Sequence, residues 1–215
     1  MAILCIDTAT AHGMVVVARD DGVTAAARWQ STGRHGENLL GYMEAALADA
    51  EVSREEISLI GVSIGPGGFT SLRVGLATAK GLALGLGLPI IGVSELRVLA
   101  RSIDGGPGVA RVPVTKAYRG DVFTAAYVID GDSVEELVAP CFGPPDEILP
   151  RVRGAVGKRQ VVLRTEPPTP EALLGEVRHV HRTEGPADLA RLEPAYLRSS
   201  DAKLPERPLR TKRSS

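Results

Sequence analysis

The stretch Ile57–Gly87, ISLIGVSIGPGGFTSLRVGLATAKGLALGLG, limits the fold more than any other part of the chain. It reads as a buried strand, then a glycine turn, Gly65-Pro66-Gly67-Gly68-Phe69-Thr70, then a helix that is apolar on almost every side. A strand feeding a glycine-rich turn and a helix start suits an anion, because backbone N–H groups of the first helical turn lack intrahelical partners. Neither standard nucleotide fingerprint is present. No Gly-Lys-Ser/Thr closes the turn, and Thr70 stands where a dinucleotide loop carries its third glycine. Two readings therefore stay open: a phosphate cradle, or a tight turn that lets the helix pack closely on a sheet.

The helix, expected over Thr70–Leu86, says more. Its charges are Arg73 and Lys80, seven residues apart and so on one line, and Ala77, Gly81 and Gly85 form a ridge of small residues that permits close helix–helix approach. A helix apolar nearly all round needs cover on most sides, and one sheet cannot supply it. The segment before it carries Leu39, Leu40, Met43, Leu47 and Ala50, the stripe of an amphipathic helix. The expectation is that both helices pack side by side and present a partner surface made of Leu39, Leu40, Met43, Leu72, Arg73, Leu76 and Lys80.

Around this stretch the chain reads βββαβαβ(α). Strands are expected at Ile3–Ile6, Met14–Ala18, Val23–Trp29, Leu59–Ile64 and Ile90–Val93, with Asp21-Gly22 as a hairpin turn. Ser94 and Glu95 open a short helix. Asp104-Gly105-Gly106-Pro107-Gly108 is polar and flexible, the best linker candidate. Beyond it the pattern restarts: strands Val109–Ala117, Asp121–Ile129 and Val134–Cys141, a helix Pro144–Val152, a strand Gln160–Leu163 and a helix Pro170–Val180. Both halves begin βββα and continue βα, a repeat of topology without a repeat of letters. Residues 1–103 and 109–200 are thus expected to be two lobes, and 201–215, rich in Pro, Lys and Arg, a disordered basic tail with weak RNA contact as the sharper alternative.

Composition removes several function classes. A net charge of -1 gives no global basic field for nucleic acid, and 4% aromatics leave few stacking platforms. Cys5 and Cys141 form no CxxC pair and read as buried thiols of a cytoplasmic protein. The start MAILCID reaches an acid within seven residues, so no signal peptide is expected, and Pro66 and Pro89 interrupt the longest uncharged runs, which are too short for a membrane span. His12, His35, His179 and His181 show no metal-ligand spacing; His35 with Glu37 supplies two ligands at most. Gly61-Val62-Ser63-Ile64-Gly65 matches G-x-S-x-G in letters, but Ser63 falls inside a strand rather than on a strand-to-helix elbow.

Several segments resemble the TsaB (YeaZ) family of bacterial tRNA threonylcarbamoyladenosine biosynthesis proteins: ILCIDTAT at Ile3–Thr10, RHGENLL at Arg34–Leu40, GPGGFTSLRVGLATAKGLA at Gly65–Ala83 and GVSELRVLA at Gly92–Ala100. Weaker echoes are YRGDVFTAAY at Tyr118–Tyr127 and LEPAYLR at Leu192–Arg198. The resemblance implies an α/β fold of the actin-like (sugar kinase/Hsp70) type, with two ribonuclease-H-like lobes. It implies a non-catalytic scaffold or activating subunit for threonylcarbamoylation of tRNA adenosine 37. Partners so implied are a TsaD-like catalytic subunit, a TsaE-like ATPase, tRNA through the complex, and a second copy when the chain is alone. No cofactor is required by the chain itself; ATP belongs to the complex. Asp7, Thr8, Thr10, Gly65, Gly67, Gly68 and Thr70 then mark a vestigial phosphate or nucleotide site.

The chain departs from the family pattern at Ala9, at Gly36, at Gly68 and Ser71, and at Lys116, where the family often has an acid. ATPases of this fold place glycine in the first phosphate turn where Ala9 stands, and need an acidic glycine turn in the second lobe, where Asp130-Gly131 reads only as a hairpin. The alternative function is an independent ATPase or small-molecule kinase of the same fold.

Overall fold

The computed structural model describes residues 1–30 and 38–197. Arg34, His35, Gly36 and Glu37, and the tail expected over 201–215, lie outside the described residues. The first half supplies β1 (Ala2–Asp7), β2 (His12–Arg19), β3 (Gly22–Gln30), α1 (Leu39–Asp49), β4 (Ile57–Gly65), α2 (Phe69–Leu86), β5 (Ile90–Ser94) and α3 (Glu95–Arg101). The second supplies β6 (Ala110–Lys116), β7 (Val122–Asp130), β8 (Ser133–Gly143), α4 (Pro145–Ala155), β9 (Val161–Arg164) and α5 (Pro170–Thr183).

The strands form two sheets, ordered β3-β2-β1-β4-β5 and β8-β7-β6-β9. In each, the first strand pairs antiparallel with the second and parallel with the strand that follows the helix: β1 with β2 and β4, β6 with β7 and β9. The repeat read from the sequence is real at the level of register. It is the two-lobed, ribonuclease-H-like arrangement of the actin-like fold.

Alternation along the strands explains the layers. Leu4, Ile6, Val15, Val17, Ile60 and Val62 face α1 and α2 in one core. Cys5, Met14, Val16, Leu59 and Val93 point the other way, onto Leu173, Leu174 and Val177 of α5. The helix closing the second half therefore covers the sheet of the first. In exchange, Leu96, Leu99 and Ala100 of α3 pack on Phe123, Ala125 and Tyr127 of the second sheet. The boundary expected at 103/109 separates the sheets but not the packing units, because each lobe borrows a helix from the other half.

A further element carried no pattern that periodicity could register. After α5, residues 185–197 run as an irregular strap back along the first sheet. Ala187 N–H donates to Ile90 O at 2.9 Å, and Ala195 N–H to Ile64 O at 2.7 Å. No helix among the described residues is long and apolar enough to cross a membrane.

Candidate functional site

The β1–β2 turn and the glycine loop meet at the carboxyl ends of the parallel strands, the usual ligand end of such a sheet. They meet closely. Gly68 N–H donates to Ala9 O at 2.8 Å, and the Thr8 hydroxyl donates to Ser71 O at 2.7 Å inside the first turn of α2. A Cβ on Gly67 would fall inside contact distance of the Ala9 carbonyl, and one on Gly75 would fall onto the Thr8 hydroxyl. Both glycines are there for close approach of backbone to backbone and of helix to turn. Asp7, Thr8 and Ala9 are buried, Gly65 is buried, and Thr10 and Gly67 are half-buried; Gly68 and Thr70 remain exposed. Of the two readings of the loop, the geometry matches the tight turn: the chain's own carbonyl sits on the Gly68 N–H that an anion would need.

Beneath the turn lies a pair of carboxyl groups. Asp7 and Glu95 are both fully buried, and the Asp7 charge acts on Glu95. Ala9 N–H donates to Asp7 Oδ1 at 2.9 Å, and the Ser63 hydroxyl donates to Glu95 Oε2 at 3.0 Å. Burial pushes Asp7 up to about 6, against the pull of its hydrogen bonds, and burial together with the Asp7 charge holds Glu95 well above the carboxylate range. The buried oxygens Asp7 Oδ2 and Glu95 Oε1 have no hydrogen-bond partner among the described residues. Ser63 is consequently a strand residue that orients Glu95, and the G-x-S-x-G match has no nucleophile in it.

Sequence reasoning passed over Glu95. An acid at the first position of a helix is ordinarily a surface charge complementing the helix dipole. The available signal was its place directly behind the apolar strand IIGV, which puts it at the level of Asp7 two strands away. Among the described residues no group of three or more His, Cys, Asp or Glu could hold a metal. Burial drives the Cys5 thiol up to about 12, so it is an inert packing group. A depression of ≈ 500 Å³ lined by Met1, Glu55, Glu56, Ile57, Ser58 and Leu88 sits at the opposite, amino-terminal end of β1 and β4. It contributes nothing to this site.

The seven residues expected at a partner surface divide sharply. Leu39, Met43, Leu72 and Leu76 are buried in the chain's own core. They lie on the stripe that faces the sheet, so they hold the fold and present no surface. Arg73 and Lys80 are engaged by the strap: Arg73 Nε donates to the Tyr196 hydroxyl at 2.9 Å, and Lys80 Nζ to Leu192 O at 3.1 Å. Phe69 stacks on Tyr196 with ring centroids 4.9 Å apart, and the Arg73 guanidinium lies 3.8 Å from the Phe69 centroid. Leu40, 63% exposed, faces solvent, and so does Arg73 beside its bond to Tyr196.

Beyond Arg73, the solvent-facing side of α2 consists of Ala77, Gly81, Leu84 and Gly85, with Leu86 at its end. Leu84 is 74% exposed, and a Cβ on Gly81 or Gly85 would meet nothing within 4 Å. On α1 the exposed positions beside Leu40 include Gly41, Ala45 and Ala48. The small-residue ridge read from the sequence is therefore an open apolar face of the folded chain.

A family model described as TsaD, tRNA N6-adenosine threonylcarbamoyltransferase, matches residues 30–173, more than half of the chain. The chain is 34% identical over 147 residues to the Escherichia coli protein named tRNA threonylcarbamoyladenosine biosynthesis protein TsaB, covering 65% of this chain and 63% of that one. The chain belongs to the TsaB (YeaZ) family. An uncharacterized protein of Mycobacterium tuberculosis is 34% identical over 208 residues, covering 94% of this chain and 93% of its own length. The solved structure of YeaZ from Pseudomonas aeruginosa superposes with a TM-score of 0.76 at 22% identity, over 91% of this chain and 99% of that one, which establishes the shared fold. The chain thus spans less than two thirds of the Escherichia coli relative and nearly all of the mycobacterial one.

Proposed function

We propose that the chain is a non-catalytic subunit in the formation of N6-threonylcarbamoyladenosine in tRNA, and that it docks a TsaD-like catalytic subunit through the exposed face of α1 and α2. The observation that carries the reading is the open apolar ridge Ala77, Gly81, Leu84 and Gly85. A solvent-exposed leucine beside two glycines is a poor helix surface but a good helix seat, because a partner helix can approach the backbone. The closed turn supports the non-catalytic part. Ala9 O occupies the Gly68 N–H, and Asp7 is buried against Glu95 instead of facing a cleft where a metal or phosphate would sit. The family's named members supply the tRNA modification itself. In the same reading a second copy of the chain uses this face when no partner is present, and a TsaE-like ATPase joins at the level of the complex.

The test is co-purification with the TsaD-like subunit of the same organism. Wild type is expected to bind, and Gly81→Arg and Leu84→Glu to lose binding while their thermal unfolding stays close to wild type. Retained binding by both variants sinks the docking face. The isolated chain is expected to hydrolyse no ATP above a blank; turnover abolished by Asp7→Asn would favour the independent ATPase or kinase instead.

A further inference from the structure

At the second lobe, the turn between β6 and β7 occupies the place that the Asp7–Thr10 turn occupies in the first. Its chemistry is different. Ala117 N–H donates to Asp121 O at 2.8 Å, closing the turn so that Tyr118, Arg119 and Gly120 project beyond the sheet. Tyr118 is 66% exposed, and the Arg119 guanidinium lies 5.4 Å from its ring centroid. Arg119 takes φ of 63°, a left-handed conformation uncommon outside glycine. Lys116, at the end of β6, is also exposed. Neither Lys116 nor Arg119 has an ion pair among the described residues, whereas Arg97, Arg101, Arg164 and Arg182 all do.

Leu197, the last described residue, and Ala117 both pack against the cluster of Leu96, Phe123 and Tyr127. The sequence that follows carries Arg198, Lys203, Arg207, Arg210, Lys212 and Arg213 against Asp201 and Glu206. The turn thus bears an exposed ring and two cations without an ion pair among the described residues, in a chain whose sequence after Leu197 is strongly basic. Cations alone would suit any acidic surface. A largely exposed tyrosine with an arginine at its ring, in a chain with so few aromatics, suits an unstacked base.

We infer that the Lys116–Gly120 turn is a contact for single-stranded RNA, with a base on Tyr118 and backbone phosphates on Lys116 and Arg119. The choice of RNA over DNA rests on the proposed function; the stacking and charge do not. The test is fluorescence anisotropy of the full-length chain with a labelled unstructured oligoribonucleotide, over a range of salt concentrations, with a duplex RNA as control. The wild type binds the single strand with salt-dependent affinity. Tyr118→Ala weakens that binding about tenfold and changes duplex binding little. Lys116→Gln with Arg119→Gln lowers the slope of log affinity against log salt by about 1.4. Gly81→Arg leaves RNA binding unchanged, so loss of partner docking and loss of RNA contact are separable. The proposal is overturned if the wild type does not bind the RNA, or if the Tyr118 and Lys116/Arg119 variants bind like wild type. It is equally overturned if those variants lose the TsaD-like partner while keeping RNA, which would make the turn a contact for an acidic protein surface.

Discussion

The Asp7–Glu95 pair makes folding stability depend on pH. Both groups have folded-state pKa values above their ordinary ones, so the folded chain binds more protons than the unfolded chain from the carboxylate range upward. Their contribution is full in acid below that range and is lost as pH rises, through about 6 for Asp7 and further for Glu95. The urea midpoint is therefore expected to fall between mildly acidic and mildly alkaline buffer. Glu95→Gln keeps an acceptor for Ser63 and should flatten that slope. An unchanged slope in the variant would remove the pair as its origin. Gly67 makes a second case at this scale. Gly67→Ala forces a methyl onto the Ala9 carbonyl and should cost about 2 kcal/mol in denaturant unfolding.

At the scale of elements, α2 has two opposite faces that demand opposite things of glycine. Gly75 lies under Thr8 and admits no side chain, whereas Gly81 and Gly85 look onto open space in the free chain. Replacing either exposed glycine by alanine should stabilise the isolated protein by up to about 1 kcal/mol through helix propensity. The same change should weaken docking of the TsaD-like subunit in a pull-down titration, because it raises the seat by a methyl group. Stabilisation with unaltered docking would show that the ridge is only a tolerated weakness of the helix. The amphipathic stripe on α1 and the apolar run of α2 were legible from spacing. Which apolar residues faced solvent was not, since a helix apolar all round gives periodicity no polar face to mark the outside.

For the whole molecule, the decisive feature is the exchange of helices between lobes. Glu176 of α5 is fully buried and lies 2.7 Å from Arg97 Nε and 2.5 Å from Arg101 Nε, both on α3. These contacts join the two exchanged helices across the junction of the lobes. Removing one partner of a buried ion cluster leaves charges without compensation, so Glu176→Gln is expected to cost about 3 kcal/mol in urea unfolding. A loss within experimental error would show that the apolar contacts of α3 and α5 hold the lobes by themselves. The strap acts at the same scale. It places backbone groups on Ile64 and Ile90 and draws Arg73 and Lys80 toward itself, and so engages the two cations the sequence had placed on the docking face.

The sequence by itself determined the local elements and their duplicated order. The glycine turn, the strand alternation and the two βββα runs each write their signal within a few neighbouring residues. Family membership was legible for the same reason, in short runs of letters. The tertiary structure alone decided what Gly65–Thr70 meets. Its Gly68 N–H meets Ala9 O, its helix rests on Thr8, and beneath it an acid from β1 and one from α3 are buried together. Those partners lie some sixty to ninety residues apart in the chain, and no local pattern encodes which of them meet. The exchange of α3 and α5, and the strap that follows, were decided in the same way, because burial of two sheet faces is settled only when the whole chain has closed over them.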